Sequence, residues 1–239
     1  MTTSTPDLTS IFGASGYRAP VRWCSPTRAR DLAQRLAAIY GEQRTEVVSN
    51  AHLTEPWARR LATNPVIVQH VRSLIGDNAA VEHTFMIAKF PPEPDEVDFL
   101  VPPHQDGTDT TFDLDPARSV AVWLAISPAP ADAGCLQIAA GSHTRGYLRH
   151  EYETLLRRAG RAVTVADVPK TLADTVFTDL PMEAGRGVLF DMRLVHRSGV
   201  NKTDGVRIGF NIRYAREDGF LRGSATARPG WMPLQLPRL

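Results

Sequence analysis

His104 and Asp106 are separated by one residue, and in an extended segment residues two apart face the same side, so both could meet one metal ion. A third ligand must then come from a distant strand. Two imidazoles and one carboxylate on one face of iron(II) leave three positions open for a co-substrate and oxygen. His196 is the candidate, because it follows the apolar run 187–192 and precedes the polar turn Arg197-Ser198-Gly199-Val200-Asn201. An H-x-D unit alone arises readily by chance, and a lone histidine at a strand end is more often a hydrogen-bonded structural residue. The setting favours a site: Val101-Pro102-Pro103 before the pair and Gly107 after it place it at a strand edge beside a loop.

A second feature lies just beyond His196. Along residues 206–214 one row carries Val206, Ile208, Phe210, Ile212 and Tyr214, and the other carries Arg207, Gly209, Asn211 and Arg213. A solvated strand face would give the same alternation. A polar row lining a barrel interior would give it a purpose, since the planar guanidinium fork binds a carboxylate through two charge-assisted hydrogen bonds.

The elements that must position these residues are legible from their boundaries. Ser25-Pro26 and Asn64-Pro65 read as N-caps followed by proline at the first helical position. Leu32, Leu36, Ile39 and Tyr40 repeat at helical spacing up to Gly41, and Ile67, Val71, Leu74 and Ile75 do so up to Gly76, so helices are expected to dominate as far as residue 76. From residue 83 the pattern changes to short runs between Pro, Gly and Asp clusters, giving strands at 83–89, 119–127, 135–139, 187–192 and 206–214. Helices followed by strands predict an α+β fold, mainly β: a β-sandwich or distorted jelly roll backed by N-terminal helices, in one domain over 1–239. Residues 1–10 are Thr/Ser-rich and are expected to fray. Two long segments, 90–103 and 144–182, are expected to act as lids, the second with a short helix around 151–158.

Bulk composition narrows the function. A net charge of +1 from 27 basic and 26 acidic residues, without a run of one sign, argues against nucleic-acid and membrane-surface partners. Cys24 and Cys135 are too few for a disulfide framework, so a cytoplasmic location is the expectation. There is no secretory leader pattern and no apolar run long enough to span a bilayer.

The motifs HQDG (His104 to Gly107), VAVWLAI (Val120 to Ile126), AGCLQIAAGSH (Ala133 to His143), GRGVLFDMRLVHRSG (Gly185 to Gly199) and N-x5-R (Asn201 to Arg207) occur in one order. Together they resemble the phytanoyl-CoA dioxygenase family of iron(II)/2-oxoglutarate oxygenases, over about residues 83–215. The resemblance implies a double-stranded β-helix with iron on His104, Asp106 and His196. It further implies that Arg207 meets the distal carboxylate of 2-oxoglutarate, with Ser198, Trp123, Phe85 and Lys89 around the same co-substrate. Ala140 stands where the family usually has proline, and the acidic stretch before His104 lacks a basic cluster for a CoA phosphate. Related halogenases have alanine or glycine at the position of Asp106, so the carboxylate here implies oxygen transfer.

The expected function is therefore hydroxylation of an aliphatic C–H with iron(II), 2-oxoglutarate and O2, on a small acidic or amino-acid-like metabolite of a biosynthetic route, with no protein partner specified. Arg213, Arg145 and Arg193 are candidates for the substrate's anion, and Asn50 and His52 for reaching into its pocket. Two alternatives are desaturation, epoxidation or cyclisation by the same chemistry, and a non-catalytic β-barrel binding module.

Overall fold

The computed structural model describes residues 12–93, 99–109, 111–148, 151–158, 161–167 and 175–234. The expected fraying of 1–10 and parts of both expected lids, 94–98 and 168–174, lie outside them.

The helix start signals act as read. Ser25 accepts a hydrogen bond from the Arg28 amide and opens α1 (Pro26–Gly41). Two short helices follow, α2 (Ala51–Thr54) and α3 (Pro56–Ala62). Asn64 accepts from the amides of Val66 and Ile67 at the start of α4 (Pro65–Ile75), satisfying donors that have no partner inside the helix. Leu32, Leu36, Ile67, Val71, Leu74 and Ile75 are buried, whereas Ile39 is 61% exposed.

The helices back a sheet of seven strands. Its path is β1 (Tyr17–Arg22), β11 (Arg186–Phe190), β6 (Ser119–Ala125), β13 (Arg207–Arg216), β3 (Ala79–Lys89) and β15 (Met232–Pro233), with β2 (Val47–Ser49) also on β3. A four-stranded sheet runs β10 (Thr178–Leu180), β7 (Leu136–Ile138), β12 (His196–Ser198) and β4 (Val101–His104). Pairs β5 (Asp113–Leu114) with β14 (Phe220–Arg222), and β8 (Glu151–Arg158) with β9 (Arg161–Asp167), complete the set. Every pairing is antiparallel. The two larger sheets share a core: Trp123, Val188 and Phe190 of one pack with Leu136 and Ile138 of the other. This is the expected jelly roll, mainly β with an α layer behind.

One expectation is corrected, and two strands are added to another. Segment 151–158 is a strand, because its helix-compatible Glu, Leu and Arg are overridden by pairing with the β-branched run of β9. The N-terminal region contains two strands besides its helices. β1 is an edge strand, where Pro20 leaves no ladder hydrogen bond missing, and β2 is only three residues long, too short for periodicity to register.

The two rows of β13 separate as the alternation requires. Ile208, Phe210, Ile212 and Tyr214 join the core beneath the helices, with Trp57 of α3 edge-on to Phe210 at 5.2 Å. Register pairs Arg207 with Lys89, Asn211 with Phe85 and Trp123, and Arg213 with His83, which brings these inner-row residues together between the sheets. Replacing Phe210 by Ala should cost about 3–5 kcal/mol of stability in urea unfolding, whereas Ile39→Ala should stay within about 0.5 kcal/mol. Equal losses would mean that the helical layer does not pack as described.

Candidate metal centre and anion pocket

His196 and His104 are cross-strand partners on β12 and β4, with ring centroids 4.1 Å apart. Asp106 lies two residues beyond the end of β4, and ligand atoms of all three lie within 4.8 Å of one another. Each imidazole is oriented from behind. His104 Nδ1 is 2.8 Å from the Pro102 carbonyl, and His196 Nδ1 is 3.0 Å from that of Leu194. A carbonyl can only accept, so both Nδ1 atoms carry the proton and both Nε2 lone pairs are free. Those Nε2 atoms stand 3.6 and 3.9 Å from the Asp106 carboxylate, too far for a hydrogen bond. Burial, then the neighbouring His104, lowers the His196 pKa to about 4, keeping it neutral near pH 7. The donor set, with two free imidazole nitrogens and a carboxylate, fits an iron(II) ion.

Asp106 is held from the opposite side by β13. Arg213 Nη2 donates to its Oδ1 at 2.6 Å, and Asn211 Nδ2 to its Oδ2 at 2.9 Å. Burial alone would raise this carboxyl's pKa; Arg213, then His196 and His104, hold it well below the usual range. Gln105 faces the other way, as strand alternation dictates. Its amide donates to the carbonyls of Gly146 and Arg193 and accepts from the Leu148 amide, tying the turn between the two ligands to the segment leading to His196. Ser142 of the GSH motif accepts from the Val195 amide at 2.9 Å and fixes that same segment.

At the far end of the interior lie two buried basic side chains. Arg207 donates through Nε and Nη2 to the Gly134 carbonyl, with its guanidinium 5.4 Å from the Trp123 ring centroid. Gly134 has φ +68°, and a Cβ there would run into the Gly199 carbonyl, so only glycine fits. Lys89 donates to the carbonyls of Phe99, Ser198 and Gly199. Among the described residues no carboxylate forms an ion pair with either cation. Burial, then the charge of Arg207, pushes the Lys89 pKa down to about 6, and burial lowers that of Arg207 to about 10. A guanidinium with no carboxylate partner, next to an amine that an arriving anion would protonate, constitutes a receptor for an anion.

One cavity of about 390 Å³ joins both features; His104, Asp106, His196, Ser198, Trp123, Phe85, Arg207 and Arg213 all line it. Several expected substrate residues stand elsewhere. His52 is buried between Thr84 Oγ1 and the Gly230 carbonyl, and Asn50 accepts from the Thr84 amide, so both bolt β3 to neighbouring chain. Arg193 is paired with Asp191, and Arg145 is exposed in a helical turn away from the cavity. Arg213 does line the cavity, but its charge is engaged by Asp106. The sequence reading missed Asn211 and Gln105 as positioning residues; the polar row of β13 and the x of H-x-D were the available signals.

The sequence model of the phytanoyl-CoA dioxygenases (PhyH) matches residues 26–209, and the chain belongs to this family. A probable phytanoyl-CoA dioxygenase of Caenorhabditis elegans is 32% identical over 161 residues, 64% of this chain and 49% of that protein. A 1-deoxypentalenic acid 11-beta-hydroxylase of Streptomyces arenae is 30% identical over 159 residues, 64% of this chain and 55% of that protein. The chain thus spans about half the length of the curated relatives it matches. Among solved structures, the epimerase SnoN in complex with Fe3+, alpha ketoglutarate and nogalamycin RO superposes with a TM-score of 0.70 at 20% identity, covering 95% of this chain and 97% of that one. The carbocyclase SnoK from nogalamycin biosynthesis gives a TM-score of 0.71 at 21% identity, covering 99% and 95%. These neighbours share the double-stranded β-helix fold. No helix among the described residues is long and apolar enough to cross a membrane.

Gln105→Leu should cost about 3 kcal/mol of stability, because two carbonyls and an amide lose their partner in the interior. A loss below about 1 kcal/mol in urea unfolding would remove Gln105 from the role of tying the two ligand segments.

Proposed function

We propose that this protein is an iron(II)/2-oxoglutarate-dependent oxygenase that hydroxylates an aliphatic C–H of a small molecule. The observation that carries the reading is one cavity that joins two free Nε2 lone pairs and a carboxylate to the Arg207 guanidinium, which has no carboxylate partner and has Lys89 as its cross-strand neighbour. The same pair separates this reading from a non-catalytic β-barrel module, which needs neither the ligand set nor the anion receptor.

His104, Asp106 and His196 would hold the metal, and Arg207 with Lys89 would hold the distal carboxylate of 2-oxoglutarate, beside Ser198 and Trp123. Iron and 2-oxoglutarate together supply the oxidising power, by coupling oxidative decarboxylation of the oxoacid to reduction of O2. The protein supplies placement. Carbonyls of Pro102 and Leu194 keep both imidazoles in the ligating tautomer, and Arg213 with Asn211 keeps Asp106 ionised and oriented. Gly209 permits the Trp123 indole to lie across β13, since a Cβ there would meet the ring at 2.6 Å. Phe99, Val101 and Pro102 wall the cavity beside the ligands and limit water at the reacting atoms.

Anaerobic addition of iron(II) and 2-oxoglutarate should produce the weak visible charge-transfer band of the chelate. Asp106→Ala should abolish it, and Arg207→Gln should raise the 2-oxoglutarate requirement by about 100-fold, the loss expected for a charge-assisted bidentate contact, with iron affinity nearly intact. Absence of the band in folded protein would favour the binding module.

Lys89 gives a pH signature. Its pKa of about 6 in the folded chain, against 10.5 ordinarily, leaves the amine mostly neutral between those values. A carboxylate bound beside it favours the charged form, so 2-oxoglutarate binding near pH 8 should take up as much as about one proton. Calorimetry in two buffers of different ionisation enthalpy measures this, and Lys89→Met should remove it. Zero uptake by the unsubstituted protein would place Lys89 outside the carboxylate's reach. The same shift makes the free protein's stability rise as pH increases from about 6 towards 10.5, because the unfolded chain holds the proton that the folded one lacks.

A further inference from the structure

We propose that the molecule oxidised in this cavity is uncharged and predominantly apolar, entering past Val47 and Leu100, rather than a small acid. This rests on the iron and 2-oxoglutarate reading above and concerns the part of the cavity left open by a carboxylate held at Arg207 and Lys89.

In that part, each charged or hydroxyl-bearing side chain already has a partner. Arg213 is bound to the Asp106 carboxylate at 2.6 Å. Its positive charge is therefore offset before any ligand arrives. The Thr108 hydroxyl donates to Asp113, and Asp109 Oδ1 accepts from the amides of Thr111 and Phe112. Asp109 Oδ2 stands 3.7 Å from Arg228. Arg197 lies between the inward-facing His196 and Ser198, so alternation turns its side chain to the other face of β12. There it bonds Gln137 at 2.7 Å and lies 4.0 Å from the Phe177 ring centroid. Asn211 Oδ1 is buried without a hydrogen-bond partner, and it is an uncharged acceptor that would oppose a carboxylate.

The remaining walls are apolar. Ile87, Phe99, Val101 and Pro102 line the cavity together with Val47 and Leu100, which are 45% and 39% exposed, and Phe99 adjoins the anion seat, where its carbonyl accepts from Lys89. Exposed aliphatic side chains at a cavity mouth have a use when the ligand covers them. A carboxylate entering this part would lose its hydration without gaining a free cation, which costs far more than burying the corresponding alcohol.

Matched probes test this: decanol against decanoate, and adamantanemethanol against adamantanecarboxylate. Binding is read anaerobically as a shift of the visible band of the protein loaded with iron(II) and 2-oxoglutarate, and independently by calorimetry on the metal-free chain. Each alcohol should bind at least about tenfold more tightly than its acid. Leu100→Arg, at an exposed position outside the proposed ligand sets, should reduce that preference at least about fivefold with an unchanged thermal midpoint. Acids that bind as tightly as alcohols, no binding of either while the band forms, or a preference untouched by Leu100→Arg would each overturn the substrate class and leave the oxygenase reading standing. Failure of the band to form would remove the oxygenase reading instead, and the calorimetric comparison would still decide whether the cavity selects against acids.

Discussion

The ionised carboxylate of Asp106, buried between two sheets, is the constraint on which the rest of the structure depends. A carboxylate taken out of water is tolerated only when it is paired and hydrogen-bonded. Asp106 meets that demand through Arg213 and Asn211, both on β13, while the imidazoles of His104 and His196 face it from the opposite sheet. β13 is itself fixed by the packing of Phe210, Ile212 and Tyr214 under the helices, where the Tyr214 hydroxyl donates to the Ala62 carbonyl at 2.9 Å. Hydrophobic burial on one face of a single strand thereby sets the position of a charged group on the other. The helices contribute no ligand to the centre, but they determine where β13 lies and so where the carboxylate can be neutralised.

Much of this was legible because the decisive signals are local or strictly periodic. Capping at Asn64, the alternation along β13 and the H-x-D spacing each reflect a short-range rule, and the structure places all three accordingly. What could not be read depends on pairing between segments far apart. Residues 151–158 have the composition of a helix and become a strand because residues 161–167 lie beside them. The engagement of Arg213 by Asp106 joins positions 107 residues apart, and no property of the strand containing Arg213 distinguishes a free guanidinium from a paired one. His52 and Asn50 look equally available in sequence, yet the return of the C-terminal segment to Gly230 gives His52 a structural carbonyl partner. Sequence thus located the polar row and left open which members of it remain available to a ligand.

That difference in availability sorts ligands within a single cavity. Arg207 and Arg213 stand on the same row of the same strand, six positions apart, and have opposite electrostatic situations. Arg213 faces a carboxylate supplied by the fold, whereas Arg207 faces only the Gly134 carbonyl and has Lys89 beside it. A dianion entering the cavity gains nearly all its stabilisation at the Arg207 end, where it also favours protonation of the neighbouring Lys89 amine. At the Arg213 end it would have to compete with Asp106 for a guanidinium that the protein needs there to keep that carboxylate ionised. In the proposed enzyme this asymmetry orients 2-oxoglutarate without a dedicated steric barrier, and it reserves the opposite half for a molecule whose binding does not depend on charge.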